Sequence, residues 1–79
     1  MGKVFEKNGF SFFFYMNEHE PVHVHVMRQG KKAKIEIVDG KAVVKLAGRL
    51  SAADLKKALE LAQQNRELIN SKWHESFDK

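Results

Sequence analysis

From Lys3 to Leu46 the chain alternates apolar and polar residues in short blocks, and each block ends at a group of turn-forming residues. A period of two sends successive side chains to opposite faces of a pleated strand, so each block reads as a β-strand. The blocks cover residues 3–7, 10–16, 22–28, 31–38 and 41–46, which are ordinary strand lengths. Asn8-Gly9, Gln29-Gly30 and Asp39-Gly40 lie between blocks as two-residue turns, whose central positions need positive φ. A longer polar loop, residues 17–21, holds the single proline of the chain.

Closing a hairpin at each turn gives registers that can be compared. They set Phe5 opposite Phe12, Phe14 opposite Val24, Phe12 opposite Val26, Val24 opposite Ile35, Val22 opposite Ile37, Ile35 opposite Val44 and Ile37 opposite Ala42. All of these residues, with Phe10, Met16, Ala33 and Leu46, then share one apolar face. The other face collects Val4, Glu6, Ser11, Phe13, Tyr15, His23, His25, Met27, Lys34, Glu36, Val38, Lys41, Val43 and Lys45. There Tyr15 is expected opposite His23, Phe13 opposite His25, His23 opposite Glu36, and His25 opposite Lys34.

After Gly48 the period changes to that of a helix. Ser51 suits an N-cap, Asp54 follows at the third helical position, and Leu50 is placed to staple to Leu55. Leu55, Ala58, Leu59, Ala62, Ile69, Trp73 and Phe77 form one stripe, interrupted by Arg66. A single helix over residues 52–77 would be about 39 Å long, against roughly 24 Å for a seven-residue strand. Such a helix either breaks near Asn65 or Asn70-Ser71, or overhangs the sheet. On an overhang Trp73 and Phe77 would be contacts for a second subunit, hence an expected homodimer. The predicted fold is α+β: an antiparallel meander of four to five strands with a C-terminal helix packed on one face, in one domain over residues 1–79.

Seventy-nine residues without cysteine exclude both a disulfide framework and a thiolate zinc site. No stretch is apolar enough for a signal peptide or a membrane span, so a soluble cytoplasmic protein with no membrane partner is expected. The formal charge of +4 is uneven. Residues 1–50 hold nine Lys or Arg against five Asp or Glu, and residues 51–79 hold five of each, so the sheet half carries the excess. A basic surface attracts nucleic acid or an acidic partner, although charge alone specifies neither.

Candidate chemistry concentrates between Phe13 and Glu36. A His-x-His strand puts His23 and His25 on one face, about 6.6–7 Å apart along the strand. Three readings follow. The rings can be structural, hydrogen-bonded to Tyr15, Glu36 or backbone. They can hold a divalent metal, with His19 or Glu18 from the loop as further ligand, although no cofactor is required by the pattern. They can also act as general acid and base on a phosphodiester, with Glu36 orienting His23 and with Lys34 or Arg28 stabilising phosphate charge. For binding, Phe13 and Tyr15 are placed to stack on bases, with His19, His23, His25, Arg28 and Lys34 around them. There is no Gly-rich phosphate loop and no Ser or Cys nucleophile constellation.

The run Phe12 to Tyr15, then Asn17-Glu18-His19, Pro21 and His23-Val24-His25, followed by a basic strand and a helix ending Lys72-Trp73-His74-Glu75-Ser76-Phe77, resembles the small bacterial family called domain of unknown function 4160. The chain departs from that pattern at Val22, where the family often carries a second proline. The resemblance implies no defined chemistry. It does imply a setting in toxin–antitoxin-like pairs, and with it a binding module for nucleic acid or a small protein partner. A ribonuclease-like toxin or a metal-binding protein built on the His-x-His strand is the alternative.

Overall fold

The structure is a computed structural model that describes residues 2–16 and 18–77. Five strands, β1 (Gly2–Lys7), β2 (Phe10–Phe14), β3 (His23–Arg28), β4 (Lys31–Val38) and β5 (Lys41–Leu46), form one antiparallel sheet in sequential order. Two helices follow, α1 (Ala52–Gln64) and α2 (Arg66–Phe77), completing the expected α+β meander. The three two-residue turns have both central residues at positive φ, Asn8 and Gly9, Gln29 and Gly30, Asp39 and Gly40. That twist matches the twist of the flanking strands.

The central registers agree with the alternation. Phe5 pairs with Phe12, Phe12 with Val26, Val24 with Ile35, Ile35 with Val44, and Ile37 with Ala42. Phe10, Phe12, Phe14, Val24, Val26, Ala33, Ile35 and Ile37 are buried beneath Leu50, Ala58, Leu61, Ala62, Ile69 and Trp73. Leu61, outside the anticipated stripe, is among the most deeply buried side chains.

Both edges depart from strict alternation, each through a register shift. Between Lys3 and Phe5 the ladder slips by one residue, so Lys3 pairs with Phe13 while Val4 and Phe5 both pack on the core. An inserted residue reverses the faces beyond it, which moves Lys3 to the uncovered side and Val4 away from it. Between Lys34 and Ile35 a second shift pairs Leu46 with Lys34 and leaves Leu46 64% exposed, outside the core expected for it. Met16, also expected inside, lies beyond the end of β2 and is 72% exposed.

The helix starts where the cap predicts: Ser51 Oγ accepts from the Asp54 N–H at 3.1 Å. It breaks at Asn65, whose side chain donates to the Leu61 carbonyl at 2.8 Å. That bond competes with the helical ladder. The break matters because the molecule measures only 36 Å along its longest axis, shorter than the roughly 39 Å of an unbroken helix. Instead of overhanging, α2 packs Ile69, Trp73 and Phe77 into the core. Trp73 is 1% exposed and meets Phe14 edge-on at 5.5 Å, and Phe77 packs on both rings. Trp73 and Phe77, anticipated on an overhang, thus pack on the chain's own core.

Gln63 joins the layers. Its Oε1 accepts from the Ala42 N–H of the edge strand β5 at 2.8 Å, and its Nε2 donates to the Gly40 carbonyl of the preceding turn at 2.9 Å. Gln63→Ala is expected to cost about 1–3 kcal/mol, because edge groups paired to α1 lose both partners. Urea unfolding measures this; a loss under roughly 0.5 kcal/mol, the range of an ordinary surface change, would show that Gln63 does not anchor the edge.

Candidate functional site

The β2–β3 loop turns a strand pair into a site. β2 stops at Phe14, and the loop carries Glu18 back over the start of β3. The Glu18 carboxylate then meets both histidines: Oε1 lies 2.8 Å from His23 Nε2, and Oε2 lies 3.1 Å from His25 Nε2. The Tyr15 backbone N–H donates to Oε2 at 3.1 Å, holding the carboxylate from the strand side. His23 Nδ1 donates to the Pro21 carbonyl at 2.8 Å, which fixes that ring. The ligand atoms of Glu18, His23 and His25 all lie within 4.8 Å of one another.

His23 is 5% exposed, and its ring meets Trp73 at 5.0 Å and His25 at 5.3 Å. Trp73 touches Phe14 of the core as well, so it spans the core and the site where β2 has ended. Its role beside His23 was invisible in the sequence, because α2 packs on the core only past the Asn65 break. Tyr15 was expected opposite His23, but its ring lies on His25 at 4.2 Å, since the residue has already left the strand.

Glu36 pairs with His23 in the sheet as predicted, yet it does not orient that ring. Its carboxylate lies 3.9 Å from Lys45, and the carboxylate bonded to His23 belongs to Glu18. A side chain directly opposite in register extends away from the sheet, whereas a loop can fold over the ring edge. His19 is exposed and stands outside the Glu18–His23–His25 cluster. Arg28 lies on the helix side. Its guanidinium covers the Phe10 ring at 4.9 Å, donates to the Asn8 carbonyl at 2.9 Å, and makes a 3.5 Å charge contact with Asp54. Strand parity alone places it with Val24 and Val26 on that face. Lys34 pairs with His25 on the uncovered side.

Beside the cluster lies an open groove of about 460 Å³, lined by Lys3, Ser11, Phe13, Tyr15, Met27 and Lys32. Phe13 and Tyr15 meet edge to face at 5.5 Å, and Phe13 lies 5.7 Å from His25. Lys32 Nζ donates to the Tyr15 hydroxyl at 3.3 Å and sits 5.8 Å from its ring centre. Tyr15 is 38% exposed. Lys3 was not a predicted site residue, because its place depends on the β1 register shift; the adjacent apolar pair Val4-Phe5 was the available signal.

Burial, the largest influence on Glu18, pushes its pKa up. The bond from His23, the Tyr15 N–H, the charge of His23 and the bond from His25 together outweigh it and hold the carboxyl below its ordinary value. For His25 burial comes first and pushes its pKa down; the Glu18 bond and charge pull it up, the charges of His23 and Lys34 push it down, and the result lies below the ordinary value.

The fold and these contacts define a small α+β domain with a carboxylate–dihistidine cluster at one end of its sheet and a lysine-edged aromatic groove beside it. Residues 9–74 match the family model described as "Domain of unknown function (DUF4160)", and the chain belongs to that family. No curated protein and no solved structure matches the chain.

Acid should destabilise the metal-free domain in two stages. The His25 contribution is complete above its ordinary pKa of 6.5 and is lost as pH falls toward the lower folded value. The Glu18 contribution is present above 4.5 and is lost as pH falls through its lower folded value. Thermal unfolding from pH 8 to 3 in chelator should show Tm falling below pH 6.5 in the wild type, with that upper limb missing in His25→Asn. A Tm that rises between pH 6.5 and 5 would contradict the assignment.

Proposed function

We propose that the protein is a small binding module whose ligand is single-stranded nucleic acid, held in the groove of Lys3, Phe13, Tyr15 and Lys32. The observation that carries this reading is the exposed Tyr15 ring with Lys32 against it, in a groove that Lys3, paired with Glu6 at 2.9 Å, also lines. Every base has a π-face, so an aromatic platform with flanking ammonium groups holds single strands with little sequence preference. The volume falls within the roughly 300–1,000 Å³ range of ligand clefts. The excess positive charge of residues 1–50 adds the long-range attraction that phosphate backbones demand. In this reading the module works in the cytoplasm as one member of a toxin–antitoxin-like or regulatory pair.

A ribonuclease reading draws on one contact, the His25 ring at 4.2 Å from Tyr15, which sets an imidazole at the rim of the groove. Weighing against it, both imidazoles are tied to one carboxylate, and Glu36 is not the orienting group.

Fluorescence anisotropy with a short single-stranded RNA tests the binding reading. Tyr15→Ala should weaken binding by about 1–3 kcal/mol for a stacked base. Lys32→Ala should flatten the plot of log K against log salt by roughly 0.7. Both variants should stay folded, because neither side chain belongs to the core. Wild-type affinity in Tyr15→Ala would remove the groove from the reading, and cleavage of the probe that disappears in His25→Ala would favour the ribonuclease instead.

A further inference from the structure

At the β2–β3 loop three groups that carry lone pairs converge within hydrogen-bond distance of one another. The Pro21 carbonyl oxygen only accepts, so the Nδ1 of His23, 2.8 Å away, carries that ring's hydrogen. In the neutral ring Nε2 then holds a lone pair, and it points at Glu18 Oε1 from 2.8 Å. Two lone pairs at that distance attract only through a positive charge between them. A proton can supply that charge, and so can a metal cation. His25 Nε2 adds a third donor, 3.4 Å and 3.1 Å from the two Glu18 oxygens.

We infer that Glu18, His23 and His25 bind a first-row divalent transition metal, such as zinc, through two imidazoles and one carboxylate. This donor set suits zinc, nickel, cobalt or iron rather than magnesium or calcium, which prefer oxygen ligands throughout. At bond lengths of about 2.0–2.1 Å a tetrahedral ion holds its ligand atoms roughly 3.4 Å apart. Glu18 lies 2.8 Å from His23 Nε2 and 3.1 Å from His25 Nε2, tighter than that spacing, and the three ligand atoms all lie within 4.8 Å of one another.

The surroundings have the form that metal ligands require. A ligating histidine donates its other ring N–H to a carbonyl or carboxylate, which selects the tautomer and aims the ring. Pro21 does this for His23, and the Tyr15 N–H restrains Glu18 in the same manner. Trp73 packs on one imidazole and Tyr15 on the other, which limits solvent access without sealing the site, since Glu18 and His25 keep part of their surface. Three protein ligands leave a coordination position for an exogenous group. The inference is independent of the groove reading, because neither lysine of the groove is a ligand.

The test starts with wild-type protein stripped by chelator, then supplied with zinc, nickel or cobalt chloride. A metal at a hundred times its Kd should raise Tm by about 10–20 °C in a domain of this size. One equivalent of cobalt should develop visible d–d absorption. Glu18→Gln and His25→Gln should each weaken zinc binding by roughly tenfold or more, while His19→Ala and Lys32→Ala leave it unchanged. No shift with any of the three metals and no cobalt absorption in the wild type would overturn the site, leaving a proton alone between His23 and Glu18. Full zinc affinity in Glu18→Gln would overturn it as well. If either substituted chain is unfolded by circular dichroism, the wild-type titration decides. RNA binding measured in chelator reports on the groove separately, so failure of one does not mimic failure of the other.

Discussion

The pairing of Phe12 with Val26, and of Phe13 with His25 beside it, is the constraint from which the rest of this molecule follows. A shift of one residue there would turn Val24 and Val26 outward and drive His23 and His25 into the core. Burial of Phe12 on one side and the Glu18 bonds to the imidazoles on the other both oppose the slip. Positive-φ turns at Gln29-Gly30 and Asp39-Gly40 pass the same choice of faces to β4 and β5. The core and the candidate site are two sides of one register.

Where the sheet ends, the two sides meet. β2 stops one residue before Tyr15, so the position opposite His23 is left to the loop rather than to a strand. Glu18 enters that space and takes both imidazoles, while Trp73 reaches the His23 ring from α2. The site therefore rests on a helix about fifty residues away in sequence, and its geometry depends on the same packing that stabilises the domain. A small domain has little surface that is not also structural.

The edges show how local irregularity creates binding surface. At β1 one extra residue lets Val4 and Phe5 both face inward and sends Lys3 across to the aromatic groove. At β5 a similar shift releases Leu46 from the core and leaves Lys45 near Glu36. From α1, Gln63 bonds the Ala42 N–H of β5 and the Gly40 carbonyl of the turn before it, so a side chain satisfies backbone groups at this edge of the sheet.

Strand number, turn positions, the two faces and the Ser51 cap were legible in the sequence, because period-two alternation, turn pairs and capping residues act over a few residues. The membership of the site was legible in outline: Phe13, Tyr15, His23 and His25 follow from parity alone, and Glu18 from its place in the loop. What parity could not decide was the partner of each ring. Direct opposition suggested Glu36 for His23, and the bond instead comes from Glu18, five residues earlier in the chain. Val4, Leu46 and Met16 were misplaced because alternation assumes unbroken ladders, and a single inserted residue or an early strand end reverses it. Trp73 and Phe77 could be read as core or as a subunit contact, since a helical stripe does not specify what covers it. Only past the break at Asn65 does α2 place them on the chain's own core. Short-range patterns assign residues to faces; which side chains finally touch is settled by where strands stop, slip and allow distant elements to return.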